Sequence, residues 1–390
     1  MLLNKHGSFY IRNGWPTKIM DAVTSDAHIF SPNNELLAVD SIGVGRVMIK
    51  AMRYWACVMG IALESKDQIG IVHSLTEIAS LVHTFDPYCT DMGTLWLFHR
   101  SLARDLENAT AWNWAFNFYD APSFNKEEFS NALHAYIQRE GGSYAKKMIE
   151  KEFDCFKNTY VSDQSFSVGK IIEEDTIPFF APLKLIEYKG SGRFEWRRPH
   201  AKEIPLDIFF ACILLDNQAH LQENRQIGID WLLEGNNQVG KYMNLSYSTL
   251  LELLQQLENN RYIRLVNNFG NRYIEIHDYT ATDVLIINEE LNRQLGNSCI
   301  GDKIRIIDDY VKNHPDENIF IDPISRRNYE LAKKAFKACP SPDEIDACDS
   351  IESATALLLG YYEGAFKVEF TEYLDLIKEY PDDVFLISNS

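Results

Sequence analysis

Between Val44 and Met59 the apolar residues recur at helical spacing, and this stretch does most to limit what the chain can fold into. Val44, Val47, Met48, Ala51, Met52, Trp55, Val58 and Met59 fall on one side of a wheel drawn at about 100° per residue. Arg46, Lys50 and Arg53, spaced i, i+4 and i+7, fall on the opposite side. Such a helix packs its apolar face into a domain and turns a basic stripe outward. Gly60 is placed to stop it, and Ile61–Glu64 and Gly70–Val72 flank a polar turn that reads as a hairpin. Upstream, Trp15 to Thr24 reads as a short helix with Pro16 in its first turn. Gly43 and Gly45 permit a tight entry to the basic helix. Helix followed by hairpin is the pattern of a winged helix-turn-helix unit, and residues 1–87 are expected to form one.

The same order returns further along. Leu206–Leu215 is an apolar helix after Pro205, and Ser246 is placed to cap Tyr247–Leu257. Leu250, Leu251, Leu253, Leu254 and Leu257 are core candidates of that second helix. Its polar residues Ser248, Thr249, Glu252, Gln255 and Gln256 include no Lys or Arg, which favours a structural or protein-binding role. Tyr262–Val266 and Tyr273–Ile276 then flank the turn-rich Asn267-Asn268-Phe269-Gly270-Asn271. Between the two units, Thr94–Leu106, Phe129–Ile137 and Tyr144–Tyr160 read as helices. Trp112, Trp114, Phe116 and Phe118 alternate as in a strand or a buried loop. The expected fold class is α+β, mainly α, with tandem winged helix-turn-helix-like units, helical insertions and an acidic helical C-terminal domain. The expected domains are 1–87, 88–164, 165–287 and 288–390.

A net charge of −18 argues at first against nucleic acid, because Lys and Arg drive phosphate binding. The charge is unevenly placed, however. Residues 1–60 have six Lys/Arg against four Asp/Glu, whereas residues 301–390 have ten against nineteen. An acidic tail of this kind faces water or a basic partner, and DNA affinity is expected to be modest and salt-sensitive. The seven cysteines include no Cys-x-x-Cys pair, which fits free thiols in a reducing cytosol better than a disulfide frame or a zinc site. No apolar run suits a membrane span or a secretory leader, so a cytoplasmic protein is expected. No Walker A or Gly-x-Gly-x-x-Gly pattern occurs, and no bound nucleotide is expected.

Several ordered landmarks carry a resemblance. His6-Gly7-Ser8-Phe9, Arg12-Asn13-Gly14-Trp15 and Lys18 resemble the His-Glu-Ser/Thr-Phe, Arg-x-Gly-Trp and Lys opening of an uncharacterised bacterial family encoded beside PAPS-reductase-like sulfur-transfer proteins. Gly43-Val44-Gly45-Arg46 through Arg53-Tyr54-Trp55, Asp86-Pro87-Tyr88, and Thr94-Leu95-Trp96-Leu97-Phe98-His99 follow its pattern in order. So do Thr110-Ala111-Trp112 and Cys155-Phe156 with Thr159-Tyr160. From Lys5 to Asp278 the chain is therefore similar to SspB-like DNA phosphorothioation proteins. The resemblance implies an anti-phage defence role in which double-stranded DNA is nicked and the backbone opened for sulfur insertion. Implied partners are a cysteine desulfurase, an ATPase and an ATP-pyrophosphatase-like sulfur-transfer protein. His6, Arg12 and Lys18 beside Trp15 would form a phosphate-binding cluster. The family's glutamate after the first histidine is Gly7 here, so no acid-base role passes to that position.

Nicking needs either metal-bound carboxylates or a covalent nucleophile. Asp175 followed by Glu187-Tyr188-Lys189 is spaced like a metal-dependent nuclease core, with two carboxylates for Mg²⁺ or Mn²⁺ and a lysine assisting the attacking water. Gly190-Ser191-Gly192 makes an ordinary hairpin the competing reading. His200, Lys202 and Asp207 fit the His-x-Lys-x4-Asp pattern of phospholipase-D-type nucleases, which attack phosphorus through histidine without a metal. Against that reading, Pro205 opens a helix where the motif extends from a strand. For Arg46, Lys50 and Arg53 the choice lies between DNA phosphate contacts and a solvated helix face. Three functions stay open on the residues alone: a DNA-nicking enzyme, a non-catalytic DNA-binding adaptor that recruits the sulfur-transfer proteins, and a transcriptional regulator.

Overall fold

The structure is a computed structural model and describes residues 1–161, 177–268, 271–277 and 312. Asp175 and, apart from Lys312, the acidic segment expected at 288–390 lie outside the described residues. Helices dominate, with three small antiparallel sheets, so the fold is α+β and mainly α.

The first segment opens with α1 (Trp15–Ser25), entered through Gly14 at φ +78° with Pro16 in its first turn. A 3-10 turn at Pro32–Asn34 leads into α2 (Glu35–Ile42), which stops at Gly43 in the left-handed conformation, φ +72°. Next comes α3 (Arg46–Val58), then β1 (Ala62–Lys66) and β2 (Ile71–Leu75), an antiparallel hairpin in which Glu64 stands opposite His73. Periodicity placed Met52, Trp55, Val58 and Met59 inward, and all are buried. Val47, on the same expected stripe, is 55% exposed, because the buried face is turned toward Ile49 and Ala56 and leaves Val47 at its edge. Then follows α4 (Glu77–Phe85), whose cap Thr76 accepts the Ala79 N–H.

The middle segment is α5 (Met92–Arg104), α6 (Thr110–Asn117), the short β3 (Ser123–Phe124), α7 (Lys126–Arg139) and α8 (Lys146–Tyr160). Asn125 and Glu128 close a capping box at the start of α7. The alternating aromatics at 112–118 fall on α6 and its end, not on a strand. Every residue of α6 is buried; its polar residues Thr110, Asn113 and Asn117 recur at helical spacing but turn inward, where the two asparagines donate to the Ala103 carbonyl.

The last described segment supplies β4 (Ile186–Gly190) and β5 (Arg193–Trp196), which join β3 in the order β3-β5-β4. Gly190, Ser191 and Gly192 all have positive φ, making the hairpin turn between them. After α9 (Leu206–Asp216), α10 (Gln218–Leu221) and β6 (Gln226–Gly228) come α11 (Ile229–Glu234), α12 (Val239–Tyr242) and α13 (Tyr247–Asn259). The segment finishes on the hairpin β7 (Ile263–Asn268) and β8 (Asn271–Ile276). Its sheet order is β6-β8-β7. Ser246 caps α13 by accepting the Thr249 N–H, and Leu250, Leu253, Leu254 and Leu257 are buried.

Buried apolar side chains from all three segments form one cluster, and two polar networks cross it. His99 on α5 donates its Nε2–H to the carbonyl of Tyr242, 2.8 Å away, and accepts at Nδ1 from the Tyr160 hydroxyl at 3.0 Å. A carbonyl can only accept, which fixes that tautomer. Asp216, with no exposed side-chain surface, receives Arg100 at 2.6 Å, Arg104 at 2.9 Å and the Tyr242 hydroxyl at 2.7 Å. Burial raises the Asp216 pKa while the two guanidiniums oppose that shift.

Candidate nucleic-acid interface

The outward face of α3 borders a cleft of about 830 Å³, lined among others by Lys5, Lys50, Arg53, Tyr54 and Asn108. Arg46 and Lys50 are well exposed and share one counter-charge. Glu35, the first residue of α2, lies 3.2 Å from Arg46 Nε and 3.5 Å from Lys50 Nζ. Arg53, one turn deeper, donates Nε–H and a terminal N–H to the two oxygens of Glu64, both at 2.7 Å. This fork-on-carboxylate pairing holds Glu64 below the ordinary carboxylate range and raises Arg53 above its own ordinary value. Arg46 and Lys50 are thus the cations free to reach a phosphate by exchanging one half-buried carboxylate. Arg53 is tied down by two strong bonds.

The N-terminal loop is organised differently. His6 is fully buried, with Nε2 3.1 Å from Glu152 on α8 and Nδ1 accepting the Ser8 N–H at 3.1 Å. Acceptance at Nδ1 puts the proton of the neutral ring on Nε2, where it donates to Glu152. The Asn4 N–H donates to the same Glu152 oxygen at 2.7 Å. Trp55 stacks on the His6 ring and Trp112 meets its edge. His6 therefore pins the opening loop to α8 and has no surface to offer a phosphate. Trp15 is also buried, at 2% exposure. Arg12 is half-buried, its guanidinium over the rings of Phe9, Tyr10 and Trp15 at 5.4–6.0 Å, and its backbone bridges to Pro178. Among the described residues its Nε is buried without a partner. Lys18 is half-buried in the first turns of α1.

Asp175 of the first catalytic set lies outside the described residues. Glu187 and Lys189 face each other on β4 at 2.6 Å, both 44% exposed, and the lysine's hydrogen bond lowers the Glu187 pKa. His200 and Lys202 are exposed, whereas Asp207 is buried in the first turn of α9. The His200 backbone N–H donates to Glu203, closing a capping box on the 3-10 turn Ala201–Glu203. In the last segment, α13 exposes Ser248, Glu252, Gln255 and Asn259, none of them basic. Arg272 of β8 lies over the Tyr247 ring, 5.2 Å from its centroid, and donates to its hydroxyl.

A sequence profile for the family described as "Protein of unknown function (DUF4007)" matches residues 3–291. The chain belongs to this family. Two solved structures share its fold. One is described as "Magnesium ion-bound SspB crystal structure", with a TM-score of 0.62 and 21% identity, covering 85% of this chain and 95% of the other. The second, "SspB crystal structure", has the same score and identity and covers 80% and 93%. No curated protein matches the chain in sequence.

The residues that carry the sequence resemblance are largely buried. His6, Trp15, Trp55, Trp96, His99, Trp112, Phe156 and Tyr160 all sit in the core, so much of the family signature reports packing. The sequence reading missed four residues that the structure uses: Glu152, Asp216, Glu64 and His73. Glu152 stands 146 residues from His6, and Asp216 stands 116 from Arg100, with no local signal for either. Glu64 and His73 could have been found from the hairpin register, since directly opposed residues share a face. Together with Cys57 they are, among the described residues, the group of His, Cys, Asp and Glu close enough to share an ion, all ligand atoms lying within 4.8 Å of one another. Sulfur and imidazole do not suit magnesium, which takes hard oxygen ligands. No helix among them is long and apolar enough to cross a membrane.

Proposed function

We propose that this chain is the DNA-binding component of a bacterial DNA phosphorothioation and anti-phage system, and that it nicks double-stranded DNA for the sulfur-transfer and ATPase partners. The observation that carries the DNA-binding part is the exposed Arg46–Lys50 pair on α3 at the edge of the cleft. SspB likeness in fold and the ordered family landmarks support the choice of system. Two segments support winged-helix units. The first puts α1, α2 and α3 ahead of the β1–β2 hairpin. The second runs α9, β6, α11–α12, α13, β7, β8, with its first strand pairing the last strand of the hairpin, as a winged helix requires. In the first unit α3 would lie on the duplex through Arg46 and Lys50, while Lys18 on α1 and Arg12 just ahead of it would add phosphate contacts.

A second reading, the non-catalytic adaptor, is favoured by the way the candidate catalytic residues are used. Lys189 neutralises Glu187, and Asp207 is buried whereas His200 and Lys202 are exposed. Conversion of supercoiled plasmid to open circle decides between the two, run with Mg²⁺ or Mn²⁺ and with EDTA. Glu187→Ala and His200→Ala run alongside. Nicking by the purified chain establishes the enzyme. EDTA-sensitive nicking would assign it to a metal site such as that of Asp175 with Glu187. Nicking that survives EDTA and fails in His200→Ala would assign it to histidine. Salt-sensitive binding without nicking under any condition would establish the adaptor.

A further inference from the structure

The end of α3 and the hairpin after it bring together three metal-ligating side chains that nothing above uses. Glu64 on β1 and His73 on β2 are directly opposed, so they project from one face of the hairpin. Cys57 lies one turn beyond Arg53 on α3, and Arg53 already reaches Glu64. His73 has no exposed side-chain surface, and its Nε2 lies 3.2 Å from Glu64 Oε2. Its other ring nitrogen is buried with no partner among the described residues, a cost of about 1–3 kcal/mol that native proteins rarely leave unmet. Four cysteines among the described residues are free thiols, and Cys57 is the one of them that is not buried.

We propose that Cys57 Sγ, the Glu64 carboxylate and the His73 imidazole bind one zinc-class divalent cation. A thiolate, an imidazole and a carboxylate are the donors that borderline-soft Zn²⁺ prefers, and three protein ligands leave a fourth position for water. In a tetrahedral site the donor atoms stand roughly 3.3–3.8 Å apart, so donors now within 4.8 Å must close by about 1 Å. Rotation about the Cys57 and Glu64 side chains supplies that movement. One carboxylate oxygen can ligate while the other keeps its hydrogen bond from Arg53, which then orients the ligand.

Binding forms the bond between the metal and Cys57 Sγ, breaks the S–H bond and releases that proton to solvent with no change of oxidation state, so affinity should rise with pH. This inference does not depend on the proposed DNA function.

The test is titration of the chelator-treated full chain with Co²⁺, followed by competition with Zn²⁺. One equivalent of Co²⁺ should produce a sulfur-to-cobalt charge-transfer absorption, bleached by Zn²⁺. Cys57→Ser should abolish the band, and His73→Gln should weaken binding at least tenfold. A melting curve on each variant separates lost binding from lost folding. If His73→Gln does not fold, Glu64→Gln on the exposed strand takes its place and should show the same weakening. Absence of the band in the wild-type chain overturns the site, as does a band that survives in Cys57→Ser.

Discussion

If the α3 face meets DNA, removing the acid between its two cations should tighten binding, and Glu35→Gln is that change. A phosphate oxygen touching Arg46 or Lys50 would lie roughly 6–7 Å from the Glu35 carboxylate, since the cations sit 3.2 and 3.5 Å from it. At that distance two unit charges in water repel by about 0.6 kcal/mol, and two phosphates double the effect. Ionic screening at about 0.15 M leaves roughly half of that total, close to a threefold fall in Kd. At about 0.01 M most of it survives, which corresponds to about sixfold. Fluorescence anisotropy of a short labelled duplex at both ionic strengths reads the change directly. The loss of one acidic residue from the start of α2 costs roughly 0.3–1 kcal/mol of stability, small against the stability of a folded domain. Unchanged or weaker binding, or a gain that does not grow as salt falls, would refute the placement of DNA on α3.

Three further outcomes are expected. Lys50→Gln should reduce the slope of log K against log salt by about one, for any duplex sequence, as measured by salt titration of the same anisotropy signal. His6→Ala should cost about 2–4 kcal/mol in urea denaturation, because it removes a bond to buried Glu152 and opens a cavity between Trp55 and Trp112; a loss below 0.5 kcal/mol, typical of surface sites, would contradict the pinning role. Burial lowers His99 to about 4, below the ordinary 6.5, so the unfolded chain takes up its proton first as pH falls. Stability from that residue is complete above about pH 6.5 and declines by about 3 kcal/mol towards pH 4; denaturation across that range should show a shallower decline in His99→Gln, and identical pH slopes would refute the assignment.

What could be read from the chain follows a physical division. Segments with one wet and one dry face announced themselves: α1, α3 with its stop at Gly60, the β1–β2 hairpin, and α13 with its Ser246 cap. Segments dry on every side did not. The aromatic run at 112–118 looked extended because Trp112, Trp114, Phe116 and Phe118 alternate, and residues 110–117 are helical with even the polar stripe of Thr110, Asn113 and Asn117 buried. Basic residues could be placed on an outer face, but not their occupation. Glu35 on Arg46 and Lys50, and Glu64 on Arg53, are tertiary pairings that helical spacing cannot reveal. His6 and Trp15 read as a candidate phosphate cluster because conserved-looking polar and aromatic motifs suggest function, yet their chemistry is spent inside the core. The Glu187–Lys189 spacing marked one face of a strand, where period two brings such residues together as a salt bridge.

The buried bonds around His99 and Asp216 also limit how the chain can be cut. His99 spans 61 residues to Tyr160 and 143 to Tyr242, and Arg100 spans 116 to Asp216. A fragment ending at residue 164 would retain both guanidiniums and lose their carboxylate, at a cost of about 3–5 kcal/mol before any lost packing is counted. The reciprocal fragment would expose Asp216 and the faces of α9 and α12 that met α5. Expression of the halves should therefore give aggregation-prone products that recover solubility only when co-expressed, and a ribosome must deliver α12 before α5 can settle.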